Sequence, residues 1–554
     1  MQAIKILEIV NRYNSIYGYP VRRFIPVIFI ATLLLNSCGQ TPSLWGTYST
    51  PTSELIFPTL FLPEPQPTVS SSTPSPLPTV TFTLTPTLIP LQSSTALPPF
   101  QGTPVIEGTI TPTFDVPATL YYSQSGDVLK SLAARFNVDP SEIRADVALP
   151  QNGLIAPDTL LVIPDRITEQ TTPNIQAMPD SEVVFSATAI NFDIAGYIKN
   201  AGGILGRYRE YLGSTGWTSG PDEIKRLAYE NSINPRLLLA LLDYEGRWVH
   251  GQPVDILHTD YPMGYQNALY KGMFSQMVWA VNQLSIGYYG WRAGTLTELN
   301  FPDGTKLRLD PHLNAGTVAI QYLFSQLHNQ SQWSQTLNMN SGFPAMYTQL
   351  YGDPWARADT VEPIFPTGLS QPELSLPFQS KVEWSFTGGP HGAWEHDGSL
   401  AAIDFAPSTD HGGCDQTPTW VTAAAPGLIV RSENGVVMED LDGDGYEQTG
   451  WDLLYLHIAT QDRVAVGTYV QKNDRIGHAS CEGGIATGTH LHFVRKYNGE
   501  WVAADGPIPF VIGGWTVHQG SSPYIGTLTK GNKTIVADPV GQFKSVIIRT
   551  SNDP

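Results

Sequence analysis

The sequence predicts a multidomain chain: a long disordered N-terminal tether, a small α/β module, a mainly α-helical middle domain and a C-terminal antiparallel all-β domain. Three observations carry that prediction. Residues 41–120 hold 16 Pro, 18 Thr and 9 Ser but no Lys or Arg. Between about 190 and 366 the apolar residues recur at spacings of three and four. From Leu376 onward short alternating runs are separated by Gly, Asn and Asp turns. A length of 554 residues accommodates several folded units at roughly 150 residues each.

At the N-terminus, Lys5, Arg12, Arg22 and Arg23 precede an apolar run from Phe24 to Leu35. A basic flank followed by about a dozen apolar residues has the layout of an export signal, and is short for a spanning helix. Leu35-Asn36-Ser37-Cys38-Gly39 resembles a bacterial lipobox. That resemblance implies a signal peptide over 1–37, lipid attachment at Cys38, and a chain that is extracytoplasmic and held to the membrane surface.

Residues 38–118 form the tether. Repeated Thr-Pro and Ser-Pro pairs disfavour helix and sheet, because Pro lacks an N–H and restricts the residue before it. Such a spacer lets an anchored domain reach outward.

The module spans 119–165. Asp127 is expected to cap a helix whose apolar face is Leu129, Leu132, Ala133 and Phe136. A second helical pattern opens at Pro140, and Leu160–Ile163 reads as a strand. Strand–helix–helix–strand with "SGDVLKSLAARFNV" and "LIAPDTLLVIP" resembles a LysM module. The resemblance implies binding to the N-acetylglucosamine-containing glycan of peptidoglycan.

Residues 166–190 read as a polar connector, and 191–366 as the helical domain. Asn234-Pro235 starts a helix that is apolar on nearly all faces and ends at Glu245-Gly246. A carboxylate at the end of a buried helix is a candidate general acid. "NPRLLLALLDYEG" and "LNAGTVAIQYL" resemble the lysozyme-like lytic transglycosylases, which would make Glu245 their catalytic acid. Those enzymes usually carry Glu-Ser-Gly, whereas this chain has Glu245-Gly246-Arg247. His250, His258 and Asp260 lack regular ligand spacing and read as structural.

The chemistry concentrates in the β domain, over 373–525, ahead of a tail at 526–554. Asp452–His457 is a strand ending in His, and Val464–Gly477 reads as a hairpin. In Gly488-Thr-His490-Leu-His492-Phe the two histidines are two apart, so on a strand they share a face. A catalytic zinc site needs three protein ligands and one open position. His391, Asp404 and His492 supply two imidazoles and a carboxylate; His457 and His490 are left for proton transfer and transition-state hydrogen bonds. "TGGPH", "AAIDFAP", "YLH" and "GTHLHF" resemble the lysostaphin and β-lytic zinc endopeptidases, the LytM-like enzymes that cleave peptides of peptidoglycan. Lysostaphin-type members place the first His four residues before the Asp, where this chain has Leu400. The β-lytic branch has a longer insertion that suits His391, thirteen residues before Asp404; His396 is the alternative ligand.

Asp440, Asp442 and Asp444 alternate ahead of Gly445, as in a calcium loop. Its twelfth position is Trp451 rather than Glu, so calcium and a plain acidic turn are both readings. Cys414 and Cys481, 67 residues apart, can bridge in an exported domain. A formal charge of −19 with 31 Lys and Arg makes nucleic acid an unsuitable partner. The expectation is therefore a zinc metalloendopeptidase acting on peptidoglycan. Its competitors are a catalytically silent wall-binding activator and a transglycosylase acting through Glu245.

Overall fold

The computed structural model describes residues 115–408, 412–550 and 553. The signal segment, Cys38 and the Pro-rich stretch up to 114 lie outside the described residues. Among the described residues no helix is long and apolar enough to cross a membrane.

In the small α/β unit, β1 (Ala118–Tyr122) pairs antiparallel with β2 (Leu160–Pro164), in register from Ala118↔Pro164 to Tyr122↔Leu160. Helix α1 (Leu129–Phe136) lays Leu129, Leu132, Ala133 and Phe136 against Tyr121, Leu161 and Ile163, as its spacing requires. Two expectations are corrected. The second helix is a single 3₁₀ turn, Pro140–Glu142, because the chain leaves it extended and Arg144 bridges to Val162 beside β2. Asp127 does not cap α1, whose N-cap position is Val128. Asp127 is buried and accepts from the Tyr121 hydroxyl, the Gln124 N–H and Arg135 Nη1, each at 2.7 Å. A buried guanidinium needs a counter-charge, and that need outweighs a cap.

The middle domain contains α2 (Ile194–Ala201), α3 (Gly220–Asn231), α4 (Pro235–Gly246), α5 (Leu257–Asp260), α6 (Met273–Ala293), α7 (Ala315–Leu327), α8 (Gln330–Thr336), α9 (Phe343–Tyr351) and α10 (Pro354–Ala358). Two hairpins interrupt them, β3–β4 (Arg209–Leu212, Gly216–Ser219) and β5–β6 (Glu298–Asn300, Lys306–Arg308). Asn234 caps α4 by accepting from the Arg236 N–H at 3.0 Å, and Leu237 to Leu242 are all fully buried. The expected connector 166–190 is corrected: Met178, Val183, Val184 and Phe185 belong to the helical core. Its acids look like linker residues in sequence, but their partners lie far along the chain. Asp180 pairs with Arg292 at 2.9 Å, and Glu182 with Arg357 at 2.9 Å.

The β domain is built on an antiparallel sheet ordered β13-β10-β11-β12-β15-β8-β7-β21, with β16 added to β15. The strands are β7 (Glu383–His391), β8 (Ala402–Pro407), β10 (Gly427–Glu433), β11 (Val436–Asp440), β12 (Trp451–Leu456), β13 (Tyr469–Val470), β15 (Leu491–Tyr497), β16 (Glu500–Trp501) and β21 (Val546–Ile548). A second pair joins β9 (Trp420–Thr422) to β14 (Arg475–His478). A four-stranded sheet runs β17 (Val511–Ile512), β18 (Trp515–Gln519), β19 (Gly526–Lys530), β20 (Lys533–Val536). The 464–477 hairpin is therefore corrected, since β13 pairs with β10 and β14 with β9. So is the tail: β19, β20 and β21 lie beyond 525, bury Leu528, Ile535 and Ile547, and β21 pairs with β7.

Strand alternation decides where the site lies. Ile403, Phe405, Leu453, Tyr455, Leu491 and Phe493 point into the domain's own core. Their neighbours Ala402, Leu454, Leu456 and Val494 point the other way, into a core continuous with the helical domain. Asp404 and His492 share that second face.

One guanidinium ties these units together. Arg292 of α6 donates to Glu500 at 3.0 and 3.1 Å, to Asp180 at 2.9 Å, and to the Ser125 carbonyl of the small α/β unit. Its side chain is about 10% exposed and Glu500 is 2% exposed. Arg292→Met leaves two buried carboxylates without their cation, so we expect a loss of about 3–5 kcal/mol in urea unfolding of the full chain. A loss below about 1 kcal/mol would show that other contacts hold the joint.

Candidate active site

Three neighbouring strands bring the predicted ligands together. β7 ends on His391, β8 carries Asp404, and β15 carries His492 directly opposite Asp404 in the ladder. Directly opposed residues share a face and stand close, so the pairing alone puts carboxylate beside imidazole. His391 Nε2 lies 3.0 Å from His492 Nδ1, and both nitrogens lie 3.3 Å from Asp404 Oδ1. All three residues are buried, His391 to 2% exposure. His396, the alternative ligand, is exposed in the loop after β7 and lies outside this group.

The tautomers follow from the carbonyls. A carbonyl can only accept, so a ring nitrogen facing one carries the proton. His391 Nδ1 faces Gly389 O at 2.8 Å, and His492 Nε2 faces Ala393 O at 2.9 Å. Their other nitrogens are then lone pairs directed at each other and at Asp404 Oδ1, which is buried without a hydrogen-bond partner. Three electron pairs at such separations require a cation between them. Ligands at about 2.0–2.2 Å from a tetrahedral ion stand about 3.3 Å apart, so the donor set fits zinc. The carbonyls fix both rings as outer-shell acceptors do in metal sites.

The electrostatics agree. Burial opposes the charge of Asp404, but His391, His492 and His490 outweigh it and hold the carboxyl well below its usual range. Burial also opposes protonation of His391, and Asp404 reverses that, so its pKa is raised. For His492 burial prevails and the pKa is lowered. The two histidines share one carboxylate, and burial outweighs it at His492 but not at His391.

The two remaining histidines stand beside this group. His490 Nε2 is 3.8 Å from Asp404 Oδ1, and the His457 and His490 rings are 4.4 Å apart. His490 Nδ1 faces Gly488 O and His457 Nδ1 faces Glu482 O, each at 2.8 Å, leaving both Nε2 atoms as proton acceptors. Burial, then His490 and His492, push the His457 pKa down to about 3. His457 adopts φ +65°, a left-handed conformation uncommon for a non-glycine residue, which turns its ring off the end of β12. The disulfide Cys414–Cys481 braces this corner. Cys481 precedes Glu482, and Gly413, next to Cys414, accepts from the Thr489 N–H at 2.8 Å. Closing a loop of this length contributes about 4 kcal/mol in the chain-entropy account.

Sequence reasoning missed the loop after His391. Its Ala393 carbonyl holds His492, while Ala393 and Trp394 pack into the helical core. Asn282 of α6 exchanges hydrogen bonds with Asp397 at 3.2 and 3.3 Å. The helical domain thus reaches the ligand set through one backbone carbonyl, a contact that no residue type advertises. Tyr524, near the end of the predicted domain, stacks on His391 with ring centroids 4.1 Å apart. Glu245 takes no part in this cluster; its Oε1 lies 3.2 Å from His328 Nε2. Among the three histidines and acids read as structural, His250 pairs with Asp243, His258 with Asp255, and Asp260 with Lys271.

Comparison with known proteins adds a second line. Residues 176–364 match the family described as LasA, N-terminal domain. Over 311 residues the chain is 26% identical to Protease LasA of Pseudomonas aeruginosa, covering 53% of this chain and 69% of that one. Over 160 residues it is 24% identical to the β-lytic metalloendopeptidase of Lysobacter enzymogenes, covering 29% of this chain and 84% of that one. The solved structure titled as the M23 metalloprotease Pseudoalterin is similar at 22% identity, over 30% of this chain and 96% of that one, with a TM-score of 0.26. The family match begins inside the expected connector, in keeping with the burial of Met178 to Phe185.

Proposed function

We propose that this chain, a metalloendopeptidase related to Protease LasA and the β-lytic metalloendopeptidases, hydrolyses cross-bridge or stem peptides of peptidoglycan with a zinc ion held by His391, Asp404 and His492. The observation that carries this reading is the convergence of three lone pairs at 3.0–3.3 Å, with His457 and His490 beside them. Zinc bound there supplies Lewis acidity and lowers the pKa of a bound water toward neutrality. The chain's own residues do the rest. Gly389 O and Ala393 O accept from the far ring nitrogens and so aim the ligand nitrogens of His391 and His492 at the ion. His490 Nε2 takes the proton of the attacking water and returns it to the leaving amine. His457 Nε2, left as a lone pair by burial and by the Glu482 carbonyl on its other nitrogen, would accept from the attacking water and orient it.

The remaining parts serve delivery. The LysM resemblance of 119–165 supports glycan binding, and the Cys38 lipobox supports attachment to the outer face of the membrane, with the Pro-rich stretch as reach. Both would place the peptidase domain at the wall.

The zinc-loaded full chain should release new amino groups from purified peptidoglycan. A chelator should stop the release and added zinc restore it. Release that is absent while zinc content and wall binding are intact would sink the peptidase reading in favour of a silent activator.

A further inference from the structure

One cleft lies where the helical domain meets the β domain, and neither the metal ligands nor His457 and His490 line it. It holds about 290 Å³ between α3 and the β10–β11 turn, with Trp217 of β4 in its wall. Trp217 is 67% exposed, and Tyr211, directly opposite it in the β3–β4 ladder, is 66% exposed. Their rings meet edge to face at 6.0 Å. A hairpin that turns both its aromatic rings to solvent is not using them to hold a core. Large apolar faces grouped beside a cleft mark a binding surface.

The polar lining narrows the ligand. Lys225, Arg226 and Arg431 share the cleft with Asp222, Glu230 and Glu433, so its charges cancel. Two of the cations are already paired: Arg226 donates to Glu230 at 2.7 Å, and Arg431 to Glu447 at 2.8 and 3.0 Å. A site without net charge does not select an ion. The Lys225 ammonium, the Glu433 carboxylate and the Asn434 amide make no hydrogen bond among the described residues, which leaves both donors and acceptors for a ligand. The matching ligand is neutral, rich in hydroxyl and amide groups, and has a flat apolar face. An N-acetylated sugar ring is such a ligand. The C–H face of a pyranose stacks on the electron-rich face of an indole, and a side chain with only two χ angles loses little entropy in holding it.

The cleft also stands close to the metal ligands. Val436 lines it and lies directly opposite Leu456, which lies directly opposite His492. Two strand spacings therefore set this wall about 10 Å from His492. About three extended residues span that distance. On the turn itself, Gly435 at φ +75° packs so tightly that a β-carbon there would come within 2.5 Å of the Glu482 backbone, whose carbonyl holds His457. We propose that this cleft is a glycan subsite of the peptidase, in which Trp217 stacks on an N-acetylated sugar of the peptidoglycan whose peptide lies at the metal ligands. The inference rests on the peptidase reading and adds a preference to it: the favoured substrate is a peptide still joined to its sugar.

The test compares two soluble substrates of the zinc-loaded full chain: a stem peptide carrying its N-acetylated disaccharide, and the same peptide without sugar. Wild-type kcat/KM should favour the sugar-linked peptide by about tenfold or more, with the difference in KM, because a subsite remote from the scissile bond binds ground state and transition state alike. Trp217→Ala should bring the ratio close to one with zinc content and far-ultraviolet circular dichroism unchanged, and Trp217→Tyr should retain most of it. Phe543→Ala, which removes a ring 93% exposed elsewhere on the β domain, should leave the ratio as in wild type. A wild-type ratio near one, or a Trp217→Ala protein that keeps the wild-type ratio, would overturn the assignment. If neither substrate is cut, the peptidase reading fails, and calorimetric titration with the sugar-linked peptide still decides the cleft. Trp217→Ala that binds one equivalent fewer than wild type supports the subsite, and equal stoichiometry and affinity overturn it.

Discussion

His492→Ala and His391→Ala protein should both lose bound zinc on dialysis and lose peptide hydrolysis by about a thousandfold or more. The reason is geometric. Each ring contributes one of three electron pairs at 3.0–3.3 Å, and among the described residues the group holds these three donors. Removing one leaves a two-ligand site on a buried carboxylate. His396→Ala is the matched control, because His396 is exposed and outside the cluster. Its rate and zinc content should stay within about twofold of wild type, as for other surface changes. Zinc stoichiometry by atomic absorption, measured with the rate of amine release, separates the outcomes. A His396→Ala protein that loses zinc while His391→Ala retains it would reverse the ligand assignment.

His490→Ala and His457→Asn should behave differently, keeping zinc but losing kcat by about 10²–10⁴-fold with little change in KM. Neither ring is among the three converging donors, yet each presents an Nε2 lone pair next to them. Asparagine is the informative replacement at 457, because it tolerates the left-handed backbone at φ +65° better than alanine does. Loss of rate in His457→Asn is then attributable to the ring and not to a strained turn. Unchanged kcat in either variant, or loss of zinc along with the rate, would remove that histidine from proton transfer.

The ligand set was legible because metal sites on strands have short-range signatures. His490 and His492 are two apart, so a strand puts them on one face whatever it packs against. Asp404 lies within an apolar run that reads as a buried strand, and a charged residue there asks for a partner. The choice between His391 and His396 was not settled by spacing. β7 continues through Gly388-Gly389-Pro390 up to His391, and the ladder with β8 sets Gly388 opposite Asp404 and His391 opposite Ala402, two residues from Asp404 along the strand; His396 falls in the loop beyond.

The sequence by itself determined the order of the units, the ends of α4, the periodicity of the β domain and four candidates of the active site, Asp404, His457, His490 and His492. Each depends on spacing along a few residues, where backbone geometry leaves little choice. Only the tertiary structure decided that 177–189 is core and not connector, and that the last thirty residues add strands, including one beside β7. It alone decided that the ligand face of the sheet is the face packed against the helices. Those outcomes rest on partners far apart in the chain, such as Asp180 with Arg292 and Ser385 with Val546. A polar residue looks solvated until its counter-charge is known, and burial is a property of the pair.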